Sequence, residues 1–302
     1  MCARHGRSPV ASPYRRRSDP VPTAVLDGIR TRYEVTGDGP PLLMFSPGGF
    51  DSTLDSWYAT GIHRRLRLPA HLAAKFTCVT FDRRESGRSG GRLERLAWDG
   101  YVRQGVALLD HLGFGRAYLM GGCVGCSTAA ALAAAHPERV AGMVLYSPAG
   151  GVHYRRKQHE RFERHLAFVR ESGLGGVVEL ARATEDGFSK DPRVGPWAAV
   201  LRHDADFASA YAACGAERYR TLVTGSAAHL FDRDTVPGVE PEDLLTLDVP
   251  ALIVPGDDTS HAPSAAHYLR ECLPRTQWWG VPPGERTPQN TSERILEFLA
   301  GA

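Results

Sequence analysis

The chain has 302 residues, is 42% apolar and carries a formal net charge of +2. That length and apolar content suffice for one large α/β domain with an insertion, and so small a charge excludes a nucleic-acid partner held by basic surface. No run approaches the roughly 18 apolar residues of a membrane span, and the cysteines lack small-disulfide-scaffold spacing, so a reducing cytoplasm is the expectation.

Much of the basic excess falls in Arg4, Arg7, Arg15, Arg16 and Arg17, mixed with Ser and Pro and without the apolar stretch of a secretory signal. Residues 1–20 therefore read as a solvated, disordered tail. From Arg30 to Val35 polar and apolar residues alternate, as in a half-buried strand. Pro41 to Phe45 is a short apolar run that ends at Ser46-Pro47-Gly48-Gly49, a buried strand entering a loop. Phe76 to Phe81 is another, closed by Asp82. Val102, Val106, Leu109 and Leu112 recur with helical spacing. Tyr118-Leu119-Met120 then runs into Gly121-Gly122-Cys123-Val124-Gly125, and an alanine-rich helix follows from about Ser127 to His136. Ala141 to Tyr146 is the next strand. Continuous apolar strands alternating with helices predict a mostly parallel sheet covered on both faces.

The rhythm changes at Gly151. From there to about Pro241 there is no buried strand, only helical patches such as His159 to Val169, broken at Gly173-Leu174-Gly175-Gly176 and at Pro192 and Pro196. Strand logic returns with Val249 to Val254, a helix near Ala265 to Leu273, the strand Gln277 to Trp279 and a closing helix from Ser292 to Leu299. The expected organisation is an α/β core over 21–150 and 245–302, with residues 151–244 forming an inserted helical cap.

Five landmarks, in order, resemble the α/β-hydrolase superfamily over about residues 21–302. They are the strand entering Ser46-Pro47-Gly48-Gly49-Phe50, the turn Asp82-Arg83-Arg84-Glu85-Ser86-Gly87-Arg88-Ser89, the Gly-x-Cys-x-Gly elbow, His136-Pro137-Glu138-Arg139-Val140, and Val254-Pro255-Gly256-Asp257-Asp258. The resemblance implies that fold and a nucleophile at the elbow, here Cys123 where serine is usual. Such a cysteine, at a helix N-terminus, favours thiolate and can attack an acyl carbon. Val124 with Gly49 or Phe50 would supply oxyanion-hole amides. Asp258 would be the acid, with Asp257 as the alternative.

The sequence departs from the family pattern at its base, because no histidine follows His267 and Glu285 or Arg286 falls where one is expected. Three explanations compete: His261 is a relocated base, a buried Glu285 does acid–base work, or the chemistry runs without a triad. Cys123 and Cys126 also form a CxxC after a strand. The chain is too long for a thioredoxin-like fold and lacks its motif, so Cys126 reads as helix packing. His153 and Trp197, with other cap aromatics, are candidates to line a pocket for an apolar or aromatic small molecule. No metal or cofactor is called for, and no nucleic-acid or membrane partner; a homodimer is allowed. The leading function is hydrolysis or acyl transfer on a small ester, thioester, lactone or activated carbonyl. The alternatives are a triad-free lyase or other cofactor-free bond-cleaving enzyme, and a silent ligand-binding protein.

Overall fold

The computed structural model describes residues 21–302, so the expected tail, residues 1–20, lies outside the described part. The chain opens with β1 (Thr23–Leu26) and β2 (Ile29–Thr36), an antiparallel hairpin. Its turn passes through Asp27 and Gly28, both at positive φ (47° and 69°), the backbone that a tight two-residue hairpin requires. Then come β3 (Pro41–Phe45), β4 (Thr77–Phe81), β5 (Ala117–Gly122), β6 (Val140–Tyr146), β7 (Ala251–Val254) and β8 (Thr276–Trp278).

The eight strands make one sheet in the order β1-β2-β4-β3-β5-β6-β7-β8. β2 joins β4 antiparallel; from β4 onward every pairing is parallel. The strands are apolar on both sides because both sides are covered, and successive side chains alternate between two cores. Leu43 and Phe45 of β3 and Leu119 of β5 pack under the helices Trp98–His111, Gly125–Ala135 and Pro263–Cys272. Leu42 and Met44, with Met120, Val144 and Leu252, pack against Ile295, Phe298 and Leu299 of the closing helix Pro288–Gly301. The α/β architecture read from the sequence is therefore the one observed, with β1 added at the edge.

Between β6 and β7 the chain is helical, without a strand. Its long helix, Val152–Ala183, starts about two turns earlier than expected and is interrupted at Gly173 (φ 67°, ψ 176°), at the break that the glycines imply. The early start was hidden because its buried face includes Gln158, Arg161 and His165 beside Tyr154 and Phe162, which blurs the apolar period. These helices share a third core with Phe50, Trp98 and Val124 of the sheet domain, directly over the elbow.

Candidate active site

β5 ends at Gly122 and the next helix begins at Gly125, which leaves Cys123 to turn the chain at φ 55°. A non-glycine residue in this left-handed region is strained, and such strain is held at functional positions. The flanking glycines make the turn possible. A Cβ on Gly121 would stand 2.5 Å from the Cys126 backbone, and one on Gly125 would stand 2.2 Å from the Phe45 carbonyl oxygen. The Cys123 thiol is half-buried.

The segment after β6 ties this elbow to the turn after β7. The Tyr146 carbonyl accepts from Cys123 N (3.1 Å), Ala149 N donates to the Cys123 carbonyl (3.3 Å), and Gly150 N donates to Ser260 O (3.1 Å). The turn itself folds back on Gly256, where any Cβ would lie 2.3 Å from the Cβ of His261. His261 is thereby delivered to the elbow. Its Nδ1 lies 2.9 and 2.8 Å from the two Asp258 carboxylate oxygens, and Asp258 Oδ1 also accepts from the amides of Ser260 (2.7 Å) and His261 (3.0 Å). With Nδ1 committed to the carboxylate, Nε2 is the nitrogen left to serve the sulfur.

The electrostatics follow from this arrangement. Burial pushes the Cys123 thiol up, but hydrogen bonding and charge from His261, with the amides of Val124 and Gly48, outweigh it and hold the thiol below its ordinary value. Burial in turn pushes the His261 imidazole down. The facing Cys123 sulfur and the Asp258 carboxylate overcome that, and His261 rises to about 9. Asp258 is held below the usual carboxylate range: burial works against it, and the imidazole and the turn amides prevail. Thiolate and imidazolium are the mutually supporting charge states.

The oxyanion loop differs in detail from expectation. Val124 keeps its place, but the loop amide directed at the sulfur is that of Gly48, at φ 119°. Phe50 N instead donates to Ser189 Oγ (3.3 Å), which also donates to the Gly48 carbonyl (3.3 Å), and Gly49 opens the short 3₁₀ turn Gly49–Asp51. The cap thus fastens the loop through Ser189, which occupies the Phe50 amide, while Gly48 turns its amide to the sulfur.

Of the other candidate residues, Asp257 is exposed, and Asp258 holds the imidazole. Glu285 is the exposed last residue of a 3₁₀ turn and lacks the burial that an acid–base role there needs. Its neighbour Arg286 is buried instead, donating to Val281 O (2.8 Å) and Pro255 O (2.6 Å) with its plane over the Tyr146 and Trp279 rings, so this loop is braced by a guanidinium. Trp197 is fully buried, with Nε1 donating to Arg92 O (2.9 Å) and its ring against Tyr211 and Tyr219; it belongs to the cap core and does not line a pocket. His153 is exposed on the rim of an outer groove. Cys126 is buried, its thiol directed at Gly121 O (3.2 Å) and pushed well up by burial, which fits packing and not redox exchange.

Sequence reasoning missed Arg83 and His63 at this site and had Tyr154 only as one of the cap aromatics. Tyr154 and Arg83 line the cavity beside Val124 and Phe50. His63 packs edge-on against Trp57 and Tyr146 below Gly122; burial, and then the nearby His261 charge, hold it down at about 3, so it stays neutral. No motif marks His63, although the run of four charges Asp82-Arg83-Arg84-Glu85 at the end of a buried strand was a visible signal. Among the described residues no group of three His, Cys, Asp or Glu side chains could hold a metal ion, and no helix is long and apolar enough to cross a membrane.

The family model described as alpha/beta hydrolase fold matches residues 41–289. Over 127 residues the chain is 32% identical to the dihydrolipoyllysine-residue acetyltransferase component of the acetoin cleaving system of Cupriavidus necator, which covers 42% of this chain and 32% of that one. Over 128 residues it is 29% identical to the uncharacterized hydrolase YraK of Bacillus subtilis, covering 42% of this chain and 44% of that one. The chain thus spans less than half the length of either relative. Its structure is similar to that of the enol-lactonase of Burkholderia xenovorans LB400, with a TM-score of 0.61 at 19% identity over 92% of this chain and 100% of that one, a likeness of fold.

Proposed function

Since the chain belongs to the α/β-hydrolase fold family, we propose that it is a hydrolase or acyltransferase working through Cys123, His261 and Asp258. The observation that carries this reading is the His261 imidazole, held by Asp258 Nδ1-on and acting on the Cys123 sulfur. It supplies the base that the loop after β8 lacks.

The chemistry then runs in two halves. The Cys123 thiolate attacks the carbonyl carbon of a small ester, thioester or lactone, and the carbonyl π pair moves onto oxygen. The amides of Gly48 and Val124 hydrogen-bond the resulting oxyanion where its charge develops. As the tetrahedral intermediate collapses, the C–O or C–S bond to the leaving group breaks and the imidazolium of His261 donates its proton to that group. This leaves an acyl-thioester on Cys123 and a neutral imidazole. The imidazole next takes a proton from water, or from an acceptor alcohol or thiol. The incoming oxygen or sulfur attacks the acyl carbon, a second oxyanion forms at the same amides, and the thiolate leaves. Asp258 holds the ring in one tautomer and stabilises its charge throughout. The acyl group rests against the aromatic wall of Phe50, Trp98, Tyr101, Tyr154 and Phe231.

The alternatives of a triad-free lyase and a silent receptor rest on the histidine missing from the loop after β8; the His261–Asp258 pair beside Cys123 supports the triad reading over them. The reading is tested by pre-steady-state cleavage of p-nitrophenyl acetate in excess over the protein. A burst of phenol followed by slower turnover is expected, and in His261→Ala the slow phase falls further. Turnover that ignores His261 contradicts the role given to it.

A further inference from the structure

The residue between Asp82 and Arg84 is the least explained charge in the molecule. Arg83 is buried (9% exposed), yet no carboxylate of the described residues comes within ion-pair distance of it, and its Nε and Nη2 have no hydrogen-bond acceptor in the protein. Neighbouring Glu85 feels the Arg83 charge but does not pair with it: its Oε1 is engaged by Arg84 Nε at 2.9 Å, and its Oε2, buried without a partner, stays outside ion-pair distance. The Arg83 guanidinium lies instead over the Tyr101 ring, 4.3 Å from its centroid, with Phe50 on another side at 5.8 Å. Desolvating a cation without a paired anion is costly, and stacking on aromatic faces offsets only part of that cost.

Arg83 is not alone. The cavity that it lines, next to Val124, Phe50 and Tyr154, also receives Trp98 and Tyr101, and both Trp98 Nε1 and Tyr101 OH are buried without a partner in the protein. Three side chains with unspent donors converge on one space at the oxyanion hole, and no carboxylate lines it. The cap closes this space to about 10 Å³, so a ligand enters by displacing Tyr154, Leu230 or Phe231. Outside it runs an open groove of about 460 Å³ lined by Arg156, Lys157, Arg161, Arg164 and Lys190 against one carboxylate, that of Glu160. Arg161 Nη2 donates to the carbonyl of Ser189 (3.0 Å), the residue that fastens the oxyanion loop, so the groove reaches the catalytic turn. Such a rim attracts anions toward the entrance.

We infer that the substrate's acyl half carries a carboxylate, and that this carboxylate is bound by Arg83 with Tyr101 and Trp98 in the cavity beside Cys123. A planar carboxylate matches the guanidinium fork in a slot bounded by the Tyr101 and Phe50 rings. The inference rests on the nucleophile reading for its orientation, since the carbonyl lies at Gly48 and Val124 when the carboxylate lies at Arg83. Dicarboxylic half-esters and half-thioesters are the chemical class it selects.

The test pairs mono-p-nitrophenyl glutarate with its uncharged methyl ester, with background release measured on Cys123→Ala. Wild-type kcat/KM is expected to favour the free acid by roughly 10- to 100-fold, the worth of hydrogen bonds to a charged group. In Arg83→Met that ratio falls toward one, and in Arg83→Lys it is intermediate; circular dichroism and a cooperative melt check that both variants fold. Equal wild-type rates, or a preference that survives in Arg83→Met, overturns the inference while leaving Cys123 as nucleophile. If neither ester acylates Cys123, the nucleophile reading falls and Arg83 is read by binding alone. Glutarate then raises the melting temperature of the wild type and not that of Arg83→Met. No rise in the wild type overturns the carboxylate site.

Discussion

His261 follows Asp258 by only three residues, its Nδ1 stands 2.8 Å from that carboxylate, and its ring and the Cys123 sulfur shift one another toward imidazolium and thiolate. The acid and base proposed for this site therefore come from one turn after β7, where the family's usual pattern draws them from two loops. Gly256 makes this possible by letting the turn close on His261, and the loop after β8 is left to Arg286 as a brace.

The first prediction concerns that base. His261→Ala lowers steady-state turnover of an activated ester by roughly 10²–10⁴-fold, the usual range for positioned acid–base help. Glu285→Gln, on an exposed turn, leaves turnover near the wild-type value. The reverse ranking of the two variants in the same assay would return the base to the loop after β8.

Cysteine reactivity should follow pH in a defined direction. The thiol of Cys123 lies below its ordinary value because His261 outweighs burial, so the thiolate is present above that lowered value and is lost as pH falls through it. Iodoacetamide labelling of Cys123 therefore levels off at lower pH than that of an ordinary thiol, which titrates near 8.5. In His261→Ala, burial is opposed only by the Val124 and Gly48 amides, and the inflection moves up. Cys78, pushed up to about 12 by burial, and buried Cys126 label far more slowly over the same range. An inflection unmoved by His261→Ala would mean that the imidazole does not govern the thiol.

The elbow also makes a stability prediction. A methyl on Gly121 would meet backbone of the following helix at 2.5 Å, and backbone cannot rotate away. Gly121→Ala should lower unfolding stability by about 1–3 kcal/mol, the cost of overpacking a close contact. A urea midpoint equal to that of the wild type would show that the turn relaxes freely.

Much of the fold was legible because its signals are local. The apolar runs of β3 to β7, the glycines around Cys123 and the break at Gly173 each act through neighbours in sequence. The placement of Cys123 and Val124 at the turn after β5, and of Asp258 in the turn after β7, was legible because motifs fix it. The site was less so where tertiary placement decides. His261 was one of three competing answers to the missing base, and only the Gly150–Ser260 bond shows its turn lying at the elbow. That the Phe50 amide is taken by Ser189, far along the chain in the cap, is invisible in the motif. Trp197 looked like pocket lining because an aromatic in a cap reads alike whether it packs inward or faces a ligand. Nothing in one sequence shows that the donors of Arg83 are left unpaired.

The central claim is that Cys123 carries the acyl group, and intact-protein mass spectrometry after brief exposure to a p-nitrophenyl ester tests it most directly. The account predicts one added acyl mass on the wild type, mapped to the peptide bearing Cys123, longer-lived in His261→Ala and absent from Cys123→Ala. An unmodified wild type that nonetheless releases phenol, or equal acylation of Cys123→Ala, would contradict it.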